Sequence, residues 1–165
     1  IMLIHFSHGT MRSNFGYKAH IGVDKESGLV HTVKVTAANE HDVTVTSELL
    51  TGEEEEVYGD SGYLGAEKRP EALKKNKAGK SVHYKINRRP SQSKNKSARS
   101  QAQIKRHEHE QSSVRAKVEH VFAVVKLQLR FRKTRYRGLQ KQIAKMNMMF
   151  ALANLILADR PCLAA

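Results

Sequence analysis

The chain has a single cysteine, no long uninterrupted apolar run, and very few acidic residues in its second half. With only Cys162, next to Pro161 near the end of the chain, an internal disulfide is excluded, and the thiol has no catalytic company. The most apolar stretch, Met148 to Ala158, falls well short of the roughly 18 to 20 residues needed to cross a bilayer, so no membrane span is expected. The opening IMLIHF has no basic region before it and no small-residue cleavage site after it. It reads as the start of a fragment rather than a secretion signal, and the cytoplasm is the expected compartment. No internal repeat is visible.

What is present describes one folded domain with a polyanionic partner. At 165 residues, with 39% hydrophobic and 27% charged, the chain can bury a core and is not of disordered composition. Residues 1–67 hold 4 Lys/Arg against 11 Asp/Glu, a balance of −7, whereas residues 68–165 hold 25 against 5, a balance of +20; together they make the +13 of the whole. Such asymmetry suits a protein that neutralises phosphates and releases their counterions. Charge alone leaves DNA and RNA equally open.

Two β-like runs, Tyr17 to Val23 and Leu29 to Thr36, flank a turn rich in Asp, Ser and Gly and predict a hairpin. Simple alternation puts Val30, Thr32, Lys34 and Thr36 on one side of the second strand and His31, Val33 and Val35 on the other. A helix is predicted from Asp42 through Leu50, ending at Gly52. Then come a short strand, Val57 to Asp60, a glycine-containing loop, a helix from about 66 to 75, and a strand around 81 to 86. Residues 87–101 have one aliphatic side chain, Ala98, among polar and cationic ones and predict a mobile basic loop. Helical patterns follow over about 102–129 and 141–158. This order belongs to an α/β layer sandwich with C-terminal helices.

Two carboxylates stand out. On a helix at 100° per residue, Arg115, Glu119, Phe122 and Lys126 fall on one narrow stripe, beside a second stripe of Val114, Val118, Val121 and Val125 that must face the core. Glu119 then sits at a rim beside cations; the plain alternative is a helix salt bridge with Arg115. Asp60 ends a strand and precedes a Gly-containing loop, where open α/β sheets place functional groups; the plain alternative is a turn or capping aspartate. Converging, the two could bind divalent ions for phosphodiester chemistry, with magnesium or manganese preferred by oxygen ligands.

These residues lie in strings that resemble one family, the DDE transposases of bacterial insertion sequences, in particular the branch usually numbered five. The strings are GYKAHIGVD at 16–24, TAANEHD at 36–42, VYGDSGYLGAEKRPE at 57–71, RAKVEHVFAVVK at 115–126 and RYRGLQKQ at 135–142, in family order. The resemblance implies a ribonuclease-H-like fold over residues 1–165, a two-ion magnesium or manganese site, and DNA cleavage and strand transfer at transposon ends by a homo-oligomer. It assigns Asp60 to the second catalytic and metal-binding carboxylate and Glu119 to the third. A family signature of Tyr-x2-Arg-x3-Glu-x6-Lys is matched by Arg115, Glu119 and Lys126, with Ser112 where the tyrosine should stand. It implies that Arg115 and Lys126 contact double-stranded DNA.

The first aspartate of the family should lie on the strand before the segment matching residues 10–20, and residues 1–9 contain no acidic residue. The expectation is a truncated domain, its first strand missing or altered, and a catalytically incomplete chain; a non-catalytic DNA-binding remnant or inhibitor of intact transposase is the competing reading. Asp24 falls in the hairpin turn and is no substitute. Among other residues, Arg130, Arg132, Lys133, Arg135 and Arg137, with Phe131 and Tyr136 between them, read as phosphate contacts with base stacking, or as plain surface charge. His107 and His109 alternate on a predicted helix and read as solvated rather than as zinc ligands. His20, His41 and Asp42 also sit in the matching strings and stay unassigned.

Overall fold

A computed structural model describes residues 2–8, 16–86 and 114–158. The predicted basic loop at 87–101, the His107/His109 pair, Ser112 and Cys162 lie outside these residues.

The strands β1 (Met2–His8), β2 (Tyr17–Val23), β3 (Val30–Ala37), β4 (Glu56–Gly59) and β5 (His83–Ile86) form one sheet in the order β3-β2-β1-β4-β5. β2 pairs antiparallel with β1 and β3, whereas β1 pairs parallel with β4, and β4 with β5. A strand does stand at the centre of the sheet ahead of β2, and its sequence, MLIHFSH, has no carboxylate.

The β2–β3 hairpin forms where the alternation predicts it, and Asp24 builds its turn. The Asp24 carboxylate accepts hydrogen bonds from the backbone N–H groups of Glu26 and Ser27 and from the Ser27 hydroxyl at 2.7–3.0 Å. These bonds hold its pKa below the ordinary aspartate range. One detail of the alternation is corrected. The register shifts between Gly22 and Val23, so that Val23 pairs with Val30 but Gly22 with Thr32. A bulge of this kind turns Val30 onto the same face as Val35, and both join the core. It depends on Gly22, where a Cβ would come within 2.7 Å of the His31 ring.

Helices cover one face of the sheet. Residues 114–123 form α2, which continues into a π-helical turn, Val124–Gln128, and Leu139–Ala158 forms α3. Val118, Val121, Phe122, Val124 and Val125 pack with Ala19, Ile21, Val23 and Val35 of the hairpin, Tyr58 of β4, and Met146, Phe150 and Ala153 of α3. Phe122 meets Phe150 edge-on at 5.8 Å between ring centres. Asn154 clamps the start of β3 by accepting from the N–H of Val30 and donating to its carbonyl.

The opposite face carries Val57, with Val45, Leu49 and Tyr63 packed in a smaller core. Here two helix expectations need correction. The segment from Asp42 begins as a 3-10 turn, Asp42–Val45, and only Thr46–Leu49 (α1) is α-helical. The Thr44 and Thr46 hydroxyls donate to the carbonyls of His41 and Val43, and the alternating Val/Thr run is stiff at χ1; both compete with a regular helix. Over 66–75 only Ala66–Lys68 forms a 3-10 turn. Pro70 forces Arg69 into an extended conformation, φ −74°, ψ 149°, and the helix cannot start.

Candidate functional site

Asp60 directly follows β4, and strand alternation gives Glu56, Tyr58 and Asp60 the same face. It caps the 3-10 turn Ser61–Tyr63: its Oδ1 accepts from the Gly62 N–H at 2.9 Å and the Ser61 hydroxyl at 3.0 Å. The turn is pinned from below. Tyr63 is fully buried, and its phenol shares a 3.1 Å hydrogen bond with His20 Nδ1, whose Nε2 shares one of 3.0 Å with the Thr36 hydroxyl. Burial pushes the Tyr63 phenol far above the ordinary tyrosine range, with the nearby Asp42 and Asp60 carboxylates adding to the shift. Lys18 closes the network, donating to Asp42 at 3.1 Å and to the Glu40 carbonyl at 2.8 Å. His20 and Asp42 thus both lie near the Tyr63 phenol.

Glu119 stands on α2 with an exposed side chain, and Arg115 donates to its Oε1 at 2.8 Å. The helix salt bridge considered from spacing alone therefore forms. The stripe itself is broken: Phe122 is buried in the core, while the π-turn that follows winds Lys126 out of the register a straight α-helix would give it. On the opposite flank, Lys117 donates to the carbonyls of Lys25 and Glu26, tying α2 to the hairpin turn.

Among the described residues no hydrogen bond or ion pair joins Asp60 to Glu119, and no group of three or more His, Cys, Asp or Glu side chains is placed to hold a metal ion. Each of the two carboxylates uses a single oxygen, Oδ1 of Asp60 and Oε1 of Glu119, in these bonds. The described side chains do not by themselves make a two-ion site, which needs more oxygen ligands than two carboxylates supply.

The cationic segment after α2 is well defined. Leu129 and Phe131 donate backbone bonds to Val124 and Val125, closing the π-turn, and Arg130 adopts φ 51°, a left-handed conformation uncommon for a residue with a Cβ. Phe131 is only 7% exposed and belongs to the core, so base stacking on it, considered from its position among arginines, is overturned. It is the anchor of the segment. Tyr136 is 54% exposed and keeps an open ring face, with Lys145 5.3 Å from its centroid and 4.9 Å from that of Phe131. Gln142, fully buried, donates to the Tyr136 carbonyl. Arg130, Arg132, Lys133, Arg135 and Arg137 are all exposed, and among the described residues none of them pairs with a carboxylate. Five like charges on one pinned segment favour a polyanion.

A second cationic cluster escaped the sequence reading. Glu56 accepts from Lys85, from the Tyr58 phenol at 2.8 Å and from Lys25 at 3.2 Å, and the bond from Lys85 chiefly holds its carboxyl down at about 2. The three charges come from β2–β3, β4 and β5, and no local pattern announces their meeting.

No solved structure matches the chain. The family model described as Transposase DDE domain matches residues 5–155, nearly the whole of it, and the chain belongs to that family.

Proposed function

We propose that the chain is the DNA-engaging part of a DDE transposase of the insertion-sequence branch numbered five, with a ribonuclease-H-like catalytic domain. In the intact enzyme, Asp60 and Glu119 would serve as the second and third carboxylates. Family membership supports a transposase function, with DNA as substrate and divalent metal ions generally required. The single mixed sheet, antiparallel on one side of β1 and parallel on the other with helices on both faces, supports the ribonuclease-H-like reading. The observation that carries the assignment of Asp60 is its position at the carboxyl end of β4, beside the central strand and braced by Tyr63 and His20.

The exposed cations Arg130, Arg132, Lys133, Arg135 and Arg137 supply phosphate contacts to double-stranded DNA, with Arg115 and Lys126 adding to them along α2. Lacking an acidic residue on β1, the chain alone would bind DNA without completing cleavage or strand transfer. Magnesium or manganese would bind when a third carboxylate completes the site, supplying charge to activate water and to stabilise the leaving oxygen. In the intact enzyme the protein acts as a homo-oligomer.

Two measurements separate this from a purely DNA-binding remnant. A version of the protein with the first aspartate restored should cut DNA bearing transposon ends and lose that activity on Asp60→Ala or Glu119→Ala. Equal cutting after either change defeats the catalytic assignment. Magnesium-dependent cleavage by the present chain alone would overturn the statement that it is incomplete. Among the described residues no helix is long and apolar enough to cross a membrane.

A further inference from the structure

Gln142, in the first turn of α3, has no exposed surface, and its carboxamide is bonded at one end only. Nε2 donates to the Tyr136 carbonyl, which fixes the orientation of the group, because the reverse orientation would set two oxygens against each other. Oε1 is then a buried acceptor with no hydrogen-bond partner among the described residues. Leaving such an atom dry is costly, so it points to a ligand. Gln142 lines a small pocket, open to solvent on one side, between β2, the cationic segment and α3. Ala19, Val35, Phe131 and Met146 make its walls apolar. Thr134, whose hydroxyl takes part in no hydrogen bond among the described residues, supplies a second polar group. The space holds about one or two water molecules and is too small for a nucleobase or a metabolite.

We propose that this pocket is a binding site for an ordered water molecule, which donates to Gln142 Oε1 and accepts from the Thr134 hydroxyl. The occupant has to donate, which excludes an anion, and the cations on either side of Thr134 in the chain exclude another cation. The apolar walls offer no competing partner, so these two groups set the orientation of the water. Both ends of Gln142 then hold the cationic segment: Nε2 grips it directly at Tyr136, and Oε1 grips it through the water at Thr134. Arg135 lies between the two held positions, so its backbone is fixed on both sides while its side chain stays exposed. Thr134 and Gln142 are positioning residues for that cation and make no DNA contact of their own. The step to Arg135 rests on the DNA-binding reading; the water site does not.

Two changes at one position test the site on the full chain. Thr134→Val keeps the branched shape and removes the hydroxyl, whereas Thr134→Ser keeps the hydroxyl. Thr134→Val should lower the urea unfolding midpoint, and Thr134→Ser should stay close to wild type. In a Gln142→Met background Thr134→Val should have no further effect, since the acceptor that the water serves is gone. Wild-type crystals should show a density peak within hydrogen-bond distance of both side chains, lost in Thr134→Val. A dry pocket gives the opposite sign, because deleting a hydroxyl beside apolar walls is then neutral or stabilising. An unchanged or raised midpoint in Thr134→Val, or no peak in the wild type, overturns the site. Affinity for duplex DNA should fall severalfold in Thr134→Val and not fall further when Arg135→Ala is already present. An unchanged affinity, or a loss that persists beside Arg135→Ala, overturns the positioning of Arg135. A wild-type chain that binds no duplex DNA defeats the DNA-binding reading, while midpoint and density still decide the water site.

Discussion

His20 Nδ1 lies 3.1 Å from the phenolic oxygen of Tyr63, joining a histidine with no exposed surface on β2 to the turn that Asp60 caps. The bond spans 43 residues of sequence and directly links the hairpin to the turn presenting the candidate carboxylate. Tyr63→Phe keeps the packing of the ring and removes the hydroxyl, so it deletes this buried hydrogen bond. The expected loss is about 1–3 kcal/mol of unfolding free energy, read from urea denaturation midpoints. A loss below about 0.5 kcal/mol would mean that the link carries no weight.

Acid should loosen the β4 end of the sheet. The Glu56 carboxyl is held at about 2 in the fold, against an ordinary value of 4.5. A group depressed in this way stabilises the fold above its unfolded value and loses that contribution as pH falls from about 4.5 toward 2. Because Glu56 is partly exposed, solvent screening keeps its contribution small. Glu56→Gln should flatten this limb of the stability–pH curve without abolishing it, since Asp24 and Glu54 are also held below their ordinary values. An unchanged slope in the variant would contradict the bond network around Tyr58.

Arg130 gives opposite signs for stability and binding. Its φ of 51° suits glycine, and Arg130→Gly should stabilise the fold by up to about 1 kcal/mol. The same change removes one phosphate contact and should lower the slope of log affinity against log salt by about 0.9 on duplex DNA. Both are read on one variant, by denaturation and by fluorescence anisotropy titrations across a salt series.

Phe131 and Tyr136 separate anchor from contact. Phe131→Ala opens a cavity beneath the cationic segment and should cost about 3–5 kcal/mol. Tyr136→Ala, at an exposed ring, should change stability by less than about 1 kcal/mol. If its ring stacks on unpaired bases, the variant should lose about 1–3 kcal/mol of affinity for single-stranded DNA. Equal affinity before and after would remove Tyr136 from the interface.

Local patterns were legible wherever a segment's neighbours are close in sequence. The limits of β2 and most of α3 follow from apolar periodicity, and the turn at Asp24 follows from Asx chemistry completed within three residues. The core stripe of Val118, Val121 and Val125 was readable for the same reason. Where a competing bond or a single proline intervenes, periodicity misled. Pro70 stopped one helix, the hydroxyls of Thr44 and Thr46 tightened another, and the bulge beside Gly22 moved Val30 to the other face. Both plain readings of the candidate carboxylates also hold in the structure: Asp60 caps a turn, and Glu119 pairs with Arg115. Neither contact conflicts with a catalytic use, because each carboxylate keeps a second oxygen.

The sequence by itself determined the cationic second half, the hairpin, the amphipathic helices and the strings that match a transposase, because composition, period and motif are properties of the chain read in order. Only the tertiary structure decided that the carboxylate-free segment at the start forms the central strand, that Phe131 is core rather than contact, and that Lys25, Glu56, Tyr58 and Lys85 meet. These depend on contacts between residues tens of positions apart, set by how the sheet orders its strands and which face each helix covers, and no local pattern encodes that choice.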